Sequence, residues 1–258
     1  MGNYTILKVG GAVVEEPASL AILLEQFCSS PGPKVLVHGG GRTATNLAKQ
    51  LGIESQMVGG RRITDAKMLK VVTMVYGGLV NKNIVTQLQA RGVNALGLTG
   101  ADMNLVRAHR RPITPEGVDF GFVGDVDSAD GTQLLHLLEM GITPVIAPLT
   151  HDGQGHMLNI NADTMAQTVA VALNAVAPKT TLTYCFELPG VLRNASDPTS
   201  IIPHITEDSF KALVADGTIS GGMIPKLENA FAALKAGVAS VRITCIHNLQ
   251  GGTVIREI

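Results

Sequence analysis

Residues Tyr4-Thr5-Ile6-Leu7-Lys8-Val9-Gly10-Gly11 set an ammonium near the end of an apolar, β-branched run, with two glycines close behind it. A strand that ends this way places a fixed positive charge beside a turn whose backbone N–H groups no Cβ shields, which suits phosphate. On these eight residues alone, a strand that simply stops at a Gly-Gly turn explains them as well. The pairing recurs in Ser220-Gly221-Gly222-Met223-Ile224-Pro225-Lys226. Proline is tolerated in a first helical turn, so Lys226 is expected near a helix N-terminus with free N–H groups. Between them, Asn159, Asn161 and Asp163 are polar at alternate positions. An extended segment would turn all three to one side; alternatively, Asn161 or Asp163 caps the helix that follows. Two lysines beside glycine turns, a carboxylate and no Walker A sequence together point to phosphoryl transfer without a P-loop.

A further glycine loop, His38-Gly39-Gly40-Gly41, follows the apolar run Lys34-Val35-Leu36-Val37 and precedes a helical stretch over 42–51. Strand, glycine loop and helix in this order turn helix N–H groups towards an anion. Gly39-x-Gly41-x-x-Ala44 also matches the dinucleotide fingerprint in form, but it follows the second strand and lacks a well-placed acidic residue closing the next. His-Gly-Gly-Gly is also the form of an esterase oxyanion loop, yet the chain has no G-x-S-x-G elbow. A structural turn without a ligand is the remaining alternative.

These motifs need a scaffold, and 258 residues are enough for one large α/β domain or two lobes around a cleft. The chain is 45% apolar yet only 3% aromatic, with 29 Gly and no Trp, which favours helices and strands of Ala, Val, Leu and Ile over an all-β sandwich. A net charge of -1 argues against nucleic acid as the main partner. Cys28, Cys185 and Cys245 share no metal-like spacing and read as reduced core residues; no metal ligand set is expected. With no signal peptide and no apolar run long enough to span a bilayer, a cytoplasmic protein without a membrane partner is expected.

The periodicity predicts helices over 17–28, 42–51, 133–140, 164–176 and 207–214, and strands near 94–98, 105–109, 121–126, 143–149, 180–184, 241–245 and 253–255. Residues 55–64 read as a hairpin turning on Gly59-Gly60. A long helix from Ala66 towards Arg91 follows, capped by Thr64 or Asp65 and broken or bent near Gly77-Gly78. Pro178 marks the best internal boundary.

Taken in register, Lys8-Val9-Gly10-Gly11, His38-Gly39-Gly40-Gly41, Gly60-Arg61-Arg62-Ile63-Thr64, Asn159-Ile160-Asn161-Ala162-Asp163 and Gly222-Met223-Ile224-Pro225-Lys226 resemble the acetylglutamate kinases of the amino acid kinase family. The likeness extends through Gly121-Phe122-Val123-Gly124 and Gly252-Thr253, hence over essentially the whole chain. It implies a three-layer αβα sandwich around a mostly parallel central sheet, in one domain of two lobes: residues 1–177 for the acyl-glutamate and 178–258 for ATP. The implied reaction is phosphorylation of the γ-carboxylate of N-acetyl-L-glutamate, the second step of arginine synthesis. Such a nucleophile is already ionised at neutral pH, so no general base is needed and the travelling phosphoryl charge must be stabilised instead. By similarity Lys8 and Lys226 do this, and Asp163 holds both ammonium groups. Gly40, Gly41, Arg62, Asn159 and Asn161 would bind the acyl-glutamate. Gly10, Gly11, Glu187, Leu188, Gly190, Gly221, Gly222 and Met223 would bind the nucleotide, which would carry Mg²⁺ in on its phosphates.

The resemblance has departures. Phe186-Glu187-Leu188-Pro189-Gly190-Val191 stands where the family has a Thr-Asp-Val-x-Gly-Val nucleotide turn, so Phe186 removes a hydroxyl and Glu187 is one methylene longer; Ala101 replaces a lysine, and Arg61 replaces an apolar residue. Rival readings are a carbamate or aspartate kinase and a non-catalytic nucleotide-binding homologue. Arg61, Arg107, Arg110 and Arg111 keep an N-succinyl-L-glutamate substrate open, although Arg61 and Arg62 should point to opposite faces of a strand. A homodimer through the helix beginning near Ala66, without arginine feedback, is expected.

Overall fold

The computed structural model describes residues 3–256 apart from 60, 187 and 222. Two of the expected nucleotide contacts, Glu187 and Gly222, therefore lie outside the described residues. The chain begins with β1 (Tyr4–Val9), α1 (Gly11–Glu15), α2 (Pro17–Ser29), β2 (Lys34–His38) and α3 (Gly41–Gln50). A small hairpin, β3 (Met57–Val58) and β4 (Arg61–Arg62), leads into α4 (Ala66–Val72), a π-wound segment Thr73–Val80 and α5 (Asn81–Gln89). Next come β5 (Ala95–Leu98), β6 (Val106–Arg110), β7 (Gly124–Ala129), α6 (Gly131–Glu139), β8 (Thr143–Ile146), β9 (Leu149–His151), β10 (Met157–Asn159) and α7 (Ala162–Val176). The last third holds β11 (Thr180–Phe186), β12 (His204–Ile205), α8 (Glu207–Ala215), α9 (Met223–Lys235), β13 (Ser240–Cys245) and β14 (Thr253–Ile255).

Strands lie in the order β12-β14-β13-β11-β1-β2-β8-β5, and every neighbouring pair is parallel except β13 with β14. The central strands are apolar nearly throughout because both faces are covered, as parallel sheets require. Alternation along β1 shows this directly. Ile6 packs into one core with residues of α6, α7 and α9, while Leu7 and Val9 pack into another with residues of α2, α3, α4 and α5. The result is the three-layer α/β sandwich. Across residue 178 the sheet is continuous, since β1 pairs with β11 from Tyr4↔Thr180 to Val9↔Cys185. Beside it stands a four-stranded sheet in the order β10-β9-β6-β7.

Three expectations change. The strand anticipated over 143–149 is two strands in different sheets, because the path turns at Ala147-Pro148 and proline cannot donate to a ladder. The long helix from Ala66 neither breaks nor stops at Gly77-Gly78; its winding widens to π there and resumes as α5. The strand placed over 180–184 runs on to Phe186, which is thus a strand residue and not part of the turn.

Candidate active site

A cleft of about 240 Å³ opens where β1, β2 and β10 end and α1, α3 and α7 begin, the end of a parallel sheet where ligands settle. Gly10, Gly11, Gly39, Gly40 and Gly41 line one wall. The two glycine loops touch backbone to backbone. Gly39 N–H donates to the Val9 carbonyl at 3.0 Å, and a Cβ on Gly39 would come within 3.0 Å of the Gly11 nitrogen. Gly41 is the first residue of α3, so its N–H has no intrahelical acceptor.

His38 anchors this wall from below. Fully buried, it sits against the Gly39 carbonyl through Nδ1 at 2.8 Å and against the Asn81 side-chain amide through Nε2 at 3.1 Å. Nδ1 therefore donates and Nε2 accepts. Burial drives the imidazole pKa down to about 4, so the ring is neutral at ordinary pH. Asn81 also donates to the Val145 carbonyl at 2.9 Å, tying β2 to β8.

Lys8 is buried at the end of β1, and its ammonium lies 2.8 Å from Asp163 Oδ1 in the first turn of α7. Asn161 caps that helix, accepting from the Asp163 N–H at 2.7 Å. Both readings of the 159–163 stretch hold, because Asn159, Asn161 and Asp163 all line the cleft while Asn161 does the capping. Asn159 donates to Thr64 Oγ1 at 3.0 Å, and its buried Oδ1 has no partner among the described residues.

Arg62, on β4, is also buried. Its guanidinium donates to the Gly41 carbonyl and to Thr45 Oγ1, each at 2.9 Å, and to Ser55 Oγ. Three acceptors fix the fork and leave the rest of its donors for a ligand. Tyr76 faces Arg62 from the π-wound segment; burial pushes its phenol pKa up, against the pull of the Arg62 charge. The ring lies against Gly40, where a Cβ would come within 3.0 Å of it. Sequence reasoning missed Tyr76, Thr45 and Ser55. Their signal was indirect: a buried arginine demands acceptors, and Ser55 and Thr45 stand nearby in the chain.

Arg61 and Arg111 line the cleft as well, although Arg61 neighbours Arg62 on a strand. Arg111 pairs with Asp125 and stands over the Phe120 ring at 5.4 Å. That ion pair, first through its hydrogen bonds, holds the Asp125 carboxyl below its ordinary range. Four cations, Lys8, Arg61, Arg62 and Arg111, thus face a cleft in which Asp163 is the one carboxylate among the described lining residues. The space is built for a ligand with several negative charges.

Lys226 departs from expectation. It lies on α9 near the helix N-terminus, as anticipated, but outside the lining of this cleft. Asp163 holds Lys8, and among the described residues Lys226 forms no ion pair; its ammonium stands 4.2 Å from the centre of the Phe186 ring. An ammonium over an aromatic face is attracted by the ring quadrupole, which is what replaces the carboxylate here. The other expected nucleotide residues also lie outside the cleft, Leu188 and Gly190 on the turn after β11, Gly221 just before α9 and Met223 at its first position. Gly190 packs so tightly on Thr253 that a Cβ would come within 2.9 Å of Oγ1, and Gly221 takes φ +56, a left-handed value natural for glycine.

Comparison with known proteins places this arrangement in company. Residues 3–245 match the amino acid kinase family. An acetylglutamate kinase of Bacteroides thetaiotaomicron is 63% identical over 99% of both chains. One from Cytophaga hutchinsonii is 56% identical over 94% of this chain and 91% of its own. Among solved structures, a protein of Streptococcus mutans UA159 superposes with a TM-score of 0.76 at 29% identity, covering 98% of each chain. A Giardia lamblia carbamate kinase superposes at 0.67 with 14% identity, a likeness of fold alone.

Proposed function

Because the chain belongs to the amino acid kinase family, we propose that it is an acetylglutamate kinase, transferring the γ-phosphoryl group of ATP to the γ-carboxylate of N-acetyl-L-glutamate in arginine biosynthesis. The observation that carries this is the cleft itself: a buried lysine paired with a half-exposed carboxylate, a wall of glycine N–H groups and a fixed arginine, with no histidine among its described lining residues. A carboxylate nucleophile needs no deprotonation. What the reaction needs is charge stabilisation and alignment.

Arg62 takes the α-carboxylate with the donors its protein partners leave free, and the unpartnered Asn159 Oδ1 accepts the amide N–H of the acyl-amino acid. An orphaned buried acceptor costs free energy unless a ligand supplies its donor, which makes this atom selective for an N-acylated substrate. Lys8, kept in place by Asp163, and Lys226 face the travelling phosphoryl group, and Gly11, Gly40 and Gly41 offer N–H groups to its oxygens. The residues after 178, including Leu188, Gly190, Gly221 and Met223, hold the nucleotide. Mg²⁺ comes bound to the ATP phosphates and screens their charge; with Asp163 already paired, an ion held by phosphate and water suits this lining.

ADP release or hydroxamate trapping with N-acetyl-L-glutamate tests the activity, with carbamate and aspartate as controls. In the same assay Lys226→Ala should lower kcat by roughly 10²-fold, the scale of losing a preorganised charge stabiliser. Activity with carbamate or aspartate and none with the acyl-glutamate would overturn the assignment.

Arg61 and Arg111 support a second reading, in which the acyl group is succinyl and adds a carboxylate near these cations. Acetyl stands first because Asp125 already neutralises Arg111. Comparing kcat/KM for both compounds decides; a tenfold preference for N-succinyl-L-glutamate, about 1.4 kcal/mol, would reverse the order. We further propose a cytoplasmic homodimer built on the helix from α4 to α5, whose Met74 and Leu79 are 52% and 62% exposed. Light scattering at the mass of a monomer or a hexamer would defeat it.

A further inference from the structure

We propose that Phe186 is a positioning residue for Lys226: its ring, and not a carboxylate, holds the Lys226 ammonium at the end of β11, the strand beside β1. The inference rests on the catalytic reading of Lys226 given above and assigns the group that aims it.

Phe186 ends β11, the strand hydrogen-bonded alongside β1, and lies two residues past Tyr184, which is register partner to Lys8. Residues two apart share a face of the sheet. Tyr184 and Phe186 are stacked on that face, with centroids 5.9 Å apart and planes 9° from parallel. Tyr184 is buried and sits beside Lys8 in the register of β11 with β1, so the base of this column stands next to the Lys8–Asp163 pair. On the Phe186 ring sits the Lys226 ammonium, 4.2 Å from the centroid. The column therefore runs from the Lys8–Asp163 pair, through two stacked rings, to the second ammonium.

A ring differs from a carboxylate in what it leaves behind. Asp163 beside Lys8 offsets one positive charge. Phe186 restrains the flexible lysine stem without cancelling any charge, so the whole ammonium charge remains for the phosphoryl group. Tyr184 backs the ring and fixes its plane, so Lys226 keeps one of its many rotamers before the nucleotide arrives.

Two variants and a background test this. Phe186→Leu removes the ring while keeping apolar volume, and Phe186→Tyr keeps the ring. Phe186→Leu should lower kcat by about fivefold, leave KM for the acyl-glutamate unchanged, and be largely restored in Phe186→Tyr. In a Lys226→Ala background the same change should cost nothing further, since a residue that acts through Lys226 is silent without it. A readout independent of turnover is the ring-current shift of the Lys226 Hε protons, seen in protein carrying ¹³C-lysine and assigned by Lys226→Arg. These signals should lie upfield in the wild type and in Phe186→Tyr, and return to the ordinary position in Phe186→Leu. Losses from Phe186→Leu and Lys226→Ala that multiply, or Hε signals that stay at ordinary shifts in the wild type, would overturn the proposal. A Lys226→Ala enzyme with normal kcat and a normal wild-type ring-current shift would instead overturn the catalytic role of Lys226 while leaving the contact intact.

Discussion

The Lys8 ammonium lies 2.8 Å from Asp163 Oδ1, joining the central strand of the sheet to the first turn of α7. The Lys8 side chain is 10% exposed and that of Asp163 39%, so the lysine depends on this partner more than the carboxylate does. Asp163→Asn keeps the shape and removes the charge. We expect kcat to fall by roughly 10²-fold, because the ammonium is no longer held where the phosphoryl charge develops. A kcat within threefold of wild type, measured by ADP release, would separate Asp163 from catalysis.

Arg62 should behave in the opposite way. An α-carboxylate changes little between ground and transition states, so Arg62→Ala should raise KM for the acyl-glutamate with kcat nearly kept. Arg62→Lys should rescue little. One ammonium cannot span the Gly41 carbonyl, Thr45 and Ser55 and still reach a ligand with a planar fork. Initial-rate kinetics of both variants checks the split; an Arg62→Ala enzyme with normal KM and reduced kcat would contradict it.

Much of this site was legible in the chain because its signals are local. Lys-x-Gly-Gly and His-Gly-Gly-Gly each declare a strand end and a turn, and the alternation at Asn159, Asn161 and Asp163 declares a shared direction; the cleft brings all of them together. What the sequence hid depends on distance in the chain. Tyr76 lies on a helix that winds as π across two glycines, and the sequence read those glycines as a break or a bend. Phe186 looked like a lost hydroxyl in a turn. Its use as a seat for Lys226 becomes visible only when a helix forty residues on folds back over the strand. Pro148 carried the clue that one apolar run was two strands, and the run's hydrophobicity outweighed it.

Packing between α6 and α7 supplies a stability test away from the chemistry. Gly131 opens α6 directly against α7, and a Cβ there would overlap the Ala172 carbonyl, which is backbone and cannot swing aside. Gly131→Ala should cost about 1–3 kcal/mol, since overpacking a rigid contact forces the helices apart. Thermal unfolding reads this directly, and an unchanged Tm would show that the two helices separate at no cost.

The last prediction concerns acid. His38 is fully buried, and burial lowers its folded pKa to about 4 from an ordinary 6.5. Between those values the unfolded chain binds a proton that the folded chain refuses. Stability from this group is therefore complete above pH 6.5, is lost as pH falls from 6.5 towards 4, and falls no further below that. A shift of this size corresponds to ~3 kcal/mol over the window. The loss should appear first at the glycine wall, because the ring's Nε2 can accept from Asn81 only while neutral. His38→Gln retains polar atoms and does not titrate. It should lower stability at pH 7.5, where the native contacts are whole, and flatten the decline between pH 6.5 and 4. Urea unfolding at half-unit steps of pH measures both curves. Parallel slopes for wild type and His38→Gln would assign the acid sensitivity to other groups.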